Sequence, residues 1–442
     1  MGTISENIAI NSRLDLFSTP PINISNQKCT IQTYDPIHAV NVDAPIIFVI
    51  PGDTDYINLE ESFFRFKIKV VQNNGNNLAN NMDNHVSFVN NIFCSLFKTV
   101  KCRLNGHEIT PSDDLYAYKS YIETLFSASS DSKNKLPMQG WKANTGGAND
   151  ITAAGNPAFA VRAALCNRSR ICEYFGRPFI DLFKNRKNIL PHVRIELIFY
   201  MNTPSFVIQH DNDAIVRDEL FKYVISDVQM FIRKETVAPN TFEPIEKRLL
   251  STPAKYFYPM STIKQFHILA GATSFRADDV FTNNIPVKIL ATFVQADNFS
   301  GTYTTDPFYL NPSDAIESIE FYKNGVKIGH QRPVQVNLAA NSSDLFLNYA
   351  DILAATGNVA PSEGMMFKPE AMRLGYFFSA FDLCPDGDDT AAHRYMTEKG
   401  NISAYVKFRR GLAHGYDFLI YSVFHETMQI TASRQVSTTL TV

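Results

Sequence analysis

From Phe64 onward, apolar residues take every second place (Phe64, Phe66, Ile68, Val70), with Arg65, Lys67 and Lys69 between them. Successive strand side chains point to opposite faces, so the stretch Ser62 to Val71 predicts a strand with one wet face. Ile46-Ile-Phe-Val-Ile50, closed by Pro51-Gly52, predicts a shorter one before it. Further strand signals lie at Pro178 to Phe183, Val193 to Tyr200 and Tyr223 to Ile232. The later chain adds Ile263 to Leu269, Val287 to Val294, Phe377 to Leu383, Ile402 to Phe408 and Tyr416 to Phe424. In one place the period lengthens to nearly four, across Leu115, Tyr118, Ile122 and Leu125, which is a helix face opened by Pro111-Ser112-Asp113.

Two β-type runs are interrupted by the same dipeptide: Leu96-Phe-Lys-Thr-Val-Lys-Cys-Arg-Leu-Asn-Gly-His-Glu-Ile109 and Ala315-Ile-Glu-Ser-Ile-Glu-Phe-Tyr-Lys-Asn-Gly-Val-Lys-Ile328. Asn tolerates positive φ and Gly adopts it without strain, so Asn105-Gly106 and Asn324-Gly325 predict structural turns at the tips of two-residue hairpins. Their separation, 324 − 105 = 219, is about half of the 442 residues. The segments after the two hairpins also correspond. Ser343-Asp-Leu-Phe-Leu-Asn-Tyr-Ala-Asp-Ile-Leu353 matches Asp113-Asp-Leu-Tyr-Ala-Tyr-Lys-Ser-Tyr-Ile122, and a variable loop, a Phe/Asp/Leu strand and two closing strands come after both. Offsets drift from 344 − 114 = 230 to 382 − 181 = 201, so the loops differ in length while the order holds.

The expectation is all-β: two consecutive eight-stranded jelly rolls, a double jelly roll, with short helices in the loops. Residues 1–40 form an N-terminal arm, polar and broken by Pro20-Pro21 and Pro36, 41–236 the first roll, 237–254 a proline-containing linker and 255–442 the second roll. In the arm Leu14, Leu16 and Phe17 make one apolar knot, able to pack on its own domain or to serve in assembly. Ala128 to Ala164, rich in Ser, Asn, Gly and Ala and holding the sole tryptophan, Trp141, is expected to project as a loop.

Composition narrows the function. Lys and Arg number 41 against 44 Asp and Glu, a net charge of −3, which leaves no broad basic field for nonspecific nucleic-acid binding. Cys29, Cys94, Cys102, Cys166, Cys172 and Cys384 lack metal-site spacing and are expected as small buried residues in a reducing compartment. No run nears the roughly 18 apolar residues that span a bilayer. The polar start is no secretory signal, so synthesis in cytoplasm or nucleus without secretion is expected.

Catalytic patterns fail on inspection. No His stands two residues from another, so the imidazole cluster of a cupin metal site is missing; His192 and His414 are isolated, and His425-Glu426 lacks a second helical His. Glu60-Glu61, Asp113-Asp114, Asp278-Asp279 and Asp388-Asp389 are adjacent pairs, which a strand splits between its two faces. Neither a phosphate-binding glycine loop nor Gly-x-Ser-x-Gly occurs. No enzyme activity, cofactor, metal or small-molecule substrate is expected.

Several stretches carry a resemblance: Ser12-Arg-Leu-Asp-Leu-Phe17, Tyr56-Ile-Asn-Leu59, Ser95 to Gly106, Tyr116-Ala-Tyr-Lys-Ser-Tyr-Ile-Glu-Thr-Leu125 and Asn298-Phe-Ser-Gly-Thr-Tyr-Thr-Thr-Asp-Pro-Phe308. Together, from residue 12 to about 430, they resemble proteins of Polinton/Maverick elements and polinton-like viruses, a group similar to double-jelly-roll major capsid proteins of the tectivirus and adenovirus lineage. The resemblance implies a homotrimer acting as a pseudo-hexameric capsomer in an icosahedral virion capsid. Its partners would be neighbouring capsomers, penton and minor capsid proteins, with genomic DNA or an internal membrane at the inner face. The 34 Phe and 19 Tyr fit both such interfaces and two sandwich cores. Alternatives are a two-domain spike or lectin-like binding protein, a bicupin-like metalloenzyme, and a minor or penton capsid component, against which the duplication speaks.

Overall fold

The structure is a computed structural model and describes residues 23–111, 114–127, 135–142, 144, 149–152, 154–311, 315–338, 342–357, 368–384 and 398–439. Leu14, Leu16 and Phe17 of the expected assembly arm lie outside these. The first half supplies β1 (Asn26–Tyr34), β2 (Ile46–Ile50), β3 (Tyr56–Gln72), β4 (Val86–Phe88), β5 (Phe97–Leu104), β6 (His107–Glu108), β7 (Cys172–Gly176), β8 (Ile195–Met201), β9 (Ile208–His210) and β10 (Phe221–Val237). The second supplies β11 (Ala254–Ile268), β12 (Ser274–Asn284), β13 (Lys288–Gln295), β14 (Ile316–Lys323), β15 (Val326–Lys327), β16 (Ser379–Asp382), β17 (Lys399–Phe408), β18 (Tyr416–Ile430) and β19 (Val436–Thr438).

The two halves are built on one plan. In the first, β1-β10-β3-β7 faces β2-β8-β5-β6; in the second, β11-β18-β13-β16 faces β12-β17-β14-β15. Read in chain order, both sets follow the same eight-strand jelly-roll path, with β4-β9 added in the first half and β19 beside β18 in the second. Register agrees too: Ile68 of β3 pairs Ile225 and Cys172, and Ala291 of β13 pairs Ile420 and Ser379, at the same node of each sheet.

Inward positions of the alternating strands fill the sandwiches with aromatic rings. Phe64 stacks on Phe199 across the first sandwich at 4.9 Å, and Phe293 stacks on Phe418 at 4.6 Å in the second. Each ring taken from water contributes about 1.5–3 kcal/mol. One apolar cluster runs through both sandwiches without a break.

Four helices of ten or more residues are described: α1 (Tyr116–Ser127), α2 (Pro157–Cys166), α3 (Pro239–Leu249) and α4 (Ser343–Thr356). Several expectations are corrected by these elements. Residues 26–34, assigned to the arm, are an edge strand on β10. The 237–254 linker is largely α3, with Pro239 in the first turn, where its missing N–H has no partner to lose. Pro178 to Phe183 is not a strand; Asp181–Lys184 forms a 3₁₀ turn, because its charges point into a buried ion cluster. The described residues of the Ala128 to Ala164 stretch do not simply project: Leu136 and Trp141 are buried, and α2 begins at Pro157, after Asn156, whose side chain accepts the Ala158 N–H.

Candidate assembly site at the seam between the sandwiches

The two Asn-Gly turns occupy equivalent places and make equivalent bonds. Both are left-handed, with φ of 47° and 83° at Asn105 and Gly106 and 50° and 80° at Asn324 and Gly325. Asn105 Oδ1 accepts from Arg194 N–H and its own N–H donates to Arg194 C=O. Asn324 does the same with Asn401. Asn is thus chosen for its amide as well as for its φ. The first turn also reaches the other half, since Asn105 Nδ2 donates to Arg434 C=O at 2.8 Å.

The main seam is organised by α1, whose residues from Tyr116 to Leu125 are all buried. One side of it is aromatic. Tyr118 stacks on Phe299 at 5.1 Å, Tyr121 on Phe308 at 4.0 Å, and Phe126 meets Phe378 edge-on at 4.8 Å, so first-half rings interleave with second-half ones. Trp141 backs Tyr121 at 5.1 Å, which is why this part of the predicted loop is held inward.

The other side is ionic. Lys119 Nζ lies 2.8 Å from Asp181 Oδ2, and Lys184 Nζ bridges Glu123 at 2.8 Å and Asp181 at 2.9 Å. From the second half, Ser261 donates its N–H to Asp181 at 2.9 Å and its hydroxyl to Glu123 at 2.6 Å, while Tyr421 O–H reaches Glu123 at 3.2 Å. Two cations and two anions compensate in a largely buried site, Lys184 entering it from a partly exposed edge, and Ser261 and Tyr421 add donors from across the seam. Burial alone would raise the Asp181 carboxyl, but Lys119 and Lys184 hold it far below the usual carboxylate range. Burial acts to lower Lys184, and Asp181 and Glu123 overcome it.

A third cluster surrounds Asp306. Its Oδ1 accepts Phe308 N–H at 2.9 Å, and its own N–H donates to Asn149 at 3.0 Å. Asn144 donates to Tyr376 O–H at 2.9 Å and accepts from Arg162 at 3.4 Å. Burial pushes the Asp306 carboxyl up to about 6, opposed by the Phe308 N–H and by the Arg162 charge.

The chemistry of these clusters is adhesion. Among the described residues no group of three or more His, Cys, Asp or Glu side chains converges as a metal site would, and no helix is long and apolar enough to cross a membrane. Lys119, Glu123, Asp181, Lys184 and Ser261 were not singled out by sequence reasoning. One signal existed: Lys119 and Glu123, four apart, are the two charged residues of a helix that is otherwise uncharged from Tyr116 to Ser127.

No protein-family model matches the chain. An uncharacterized Caenorhabditis elegans protein is 21% identical over 427 residues, covering 93% of this chain and 96% of that protein. The Sputnik virophage cryo-EM structure superposes with a TM-score of 0.64 at 12% identity, covering 100% of this chain and 94% of that one. The mavirus major capsid protein gives 0.60 at 11%, covering 100% and 95%, and the Faustovirus major capsid protein 0.57 at 9%, covering 97% and 93%. The chain therefore has the double-jelly-roll fold found in these capsid proteins.

Proposed function

We propose that the chain is a major capsid protein. Three copies close into a pseudo-hexagonal capsomer, and capsomers tile an icosahedral shell with penton and minor proteins at its other positions. The first roll with its edge strand β1, the α3 connection and the second roll are its units, at about 26–237, 238–253 and 254–442. Its place is the virion, and its role is structural rather than catalytic. The observation that carries this reading is similarity along the whole length of both chains: the mavirus major capsid protein aligns over 100% of this chain and 95% of its own. Two rolls on one plan offer six similar sectors from three copies, the condition for hexagonal tiling. Light scattering on the purified protein is expected to give a mass of three chains. A stable monomer at micromolar concentration contradicts the proposal.

A further inference from the structure

The two rolls share a plan, yet equivalent surfaces are treated differently. Phe293 and Phe418 point into the second sandwich, so Leu290, Thr292 and Leu419 point out of it. These outward residues are nonetheless buried, Leu290 at 5% and Leu419 at 0% exposure, in a sheet on which first-half residues sit, Glu123 bonding Ser261 and Tyr421 there. The register of the first roll places Lys67, Lys69 and Val224 at the corresponding outward positions. Lys67 and Lys69 are only half-buried, Lys69 meeting Asn77 of its own roll at 3.0 Å, and Val224 is 41% exposed.

The helices show the complementary imbalance. α1 and α4 both follow the Asn-Gly hairpin of their roll. α1 is buried from Tyr116 to Leu125. α4 buries only Leu345, Asn348, Ile352 and Ala355 and exposes Phe346 at 48% and Leu347 at 40%, with Ala350 and Ala354 on the same open side. The open side of α4 is thus an apolar stripe of Phe346, Leu347, Ala350 and Ala354, and such a stripe is built to be covered. The charges also match: α4 carries Asp344 and Asp351, the latter paired with His330, and no basic residue, whereas the open sheet pairs Arg65 and Lys67 with Asp227 and Glu173 and presents Lys69 and Lys222 besides.

We infer that the open β1-β10-β3-β7 face of one copy receives the α4 side of the next, as the second roll's β11-β18-β13-β16 face receives α1 within the chain. The contact is head-to-tail, so each copy gives a helix on one side and a sheet on the other, and closure at three leaves no free end. The inference rests on the self-assembling reading proposed above and specifies its interface.

Two variants test it: a helix variant, Phe346→Asp with Leu347→Asp, and a sheet variant, Lys69→Glu with Lys222→Glu and Val224→Glu. Both are expected to keep the wild-type circular dichroism and to run as monomers in light scattering. Mixed in equal amounts, they should form a two-chain species and stop there, because the helix variant keeps a working sheet and the sheet variant a working helix. Folded variants that still trimerise singly, or monomers that stay monomeric on mixing while wild type is a trimer, overturn the interface and leave the capsid reading standing. A wild-type monomer overturns that reading itself. Should the triple sheet variant misfold, Val224→Glu alone replaces it, with trimer dissociation at least tenfold easier than wild type expected and no change contradicting the assignment.

Discussion

Asp306 and Asp181 are both buried carboxyls, yet their surroundings push them in opposite directions. Asp306, raised to about 6, favours its neutral form in the folded chain. Its contribution is fully present below the ordinary carboxylate pKa and is lost as pH rises through about 6. Asp306→Asn should therefore raise stability by about 3 kcal/mol at pH 7.5 and change it little near pH 4. Melting curves of both proteins across that range check this, and a pH-independent difference contradicts it. For Asp181, held down by Lys119 and Lys184, the sign reverses: its stabilisation is present above the ordinary carboxylate pKa and disappears as pH falls below it. Lys119→Met leaves the anions of the cluster with Lys184 alone and is expected to cost about 3–5 kcal/mol in urea unfolding. A loss under about 1 kcal/mol would mean that water compensates the site.

At the scale of elements, glycines separate turn geometry from seam packing. Gly325 and Gly301 both have positive φ, 80° and 77°, but a side chain on Gly325 meets nothing within 4 Å, while one on Gly301 lies 2.5 Å from the Phe206 backbone of the other half. Gly325→Ala should cost about 1 kcal/mol, the strain of the left-handed backbone, and Gly301→Ala clearly more. Equal unfolding midpoints would show that the seam yields.

The elements legible in the sequence were those with a clean period. Phe64 to Val71 alternates and is a strand, and the four-residue rhythm from Leu115 to Leu125 is α1. β1 was missed because its face is wet on both sides: Asn26–Tyr34 is almost wholly exposed and has no apolar alternation to read. α3 was hidden by Pro239 and Pro244, which signal a linker unless the first proline falls in the opening turn. Of the ionic cluster only the Lys119/Glu123 spacing on α1 was legible, since Asp181 and Ser261 are brought to it from two distant elements.

For the whole molecule, a continuous core and a sealed seam predict that the rolls unfold together. Calorimetry should show one transition, with calorimetric and van't Hoff enthalpies in agreement; two separated transitions would show that the seam is weaker than either sandwich. The duplicated Asn-Gly turns, legible in the sequence, mark the two rolls as repeats, and the pairing register locates the equivalent strands, β3-β10 and β13-β18, whose unequal exposure points to a second copy. What a single chain leaves open, a ring of three would cover, and that is the central claim. Electron microscopy of the expressed protein tests it most directly. The expected images are compact threefold particles with a pseudo-hexagonal outline, and closed shells where capsomers meet; a field of separate single-chain particles at micromolar concentration would contradict it.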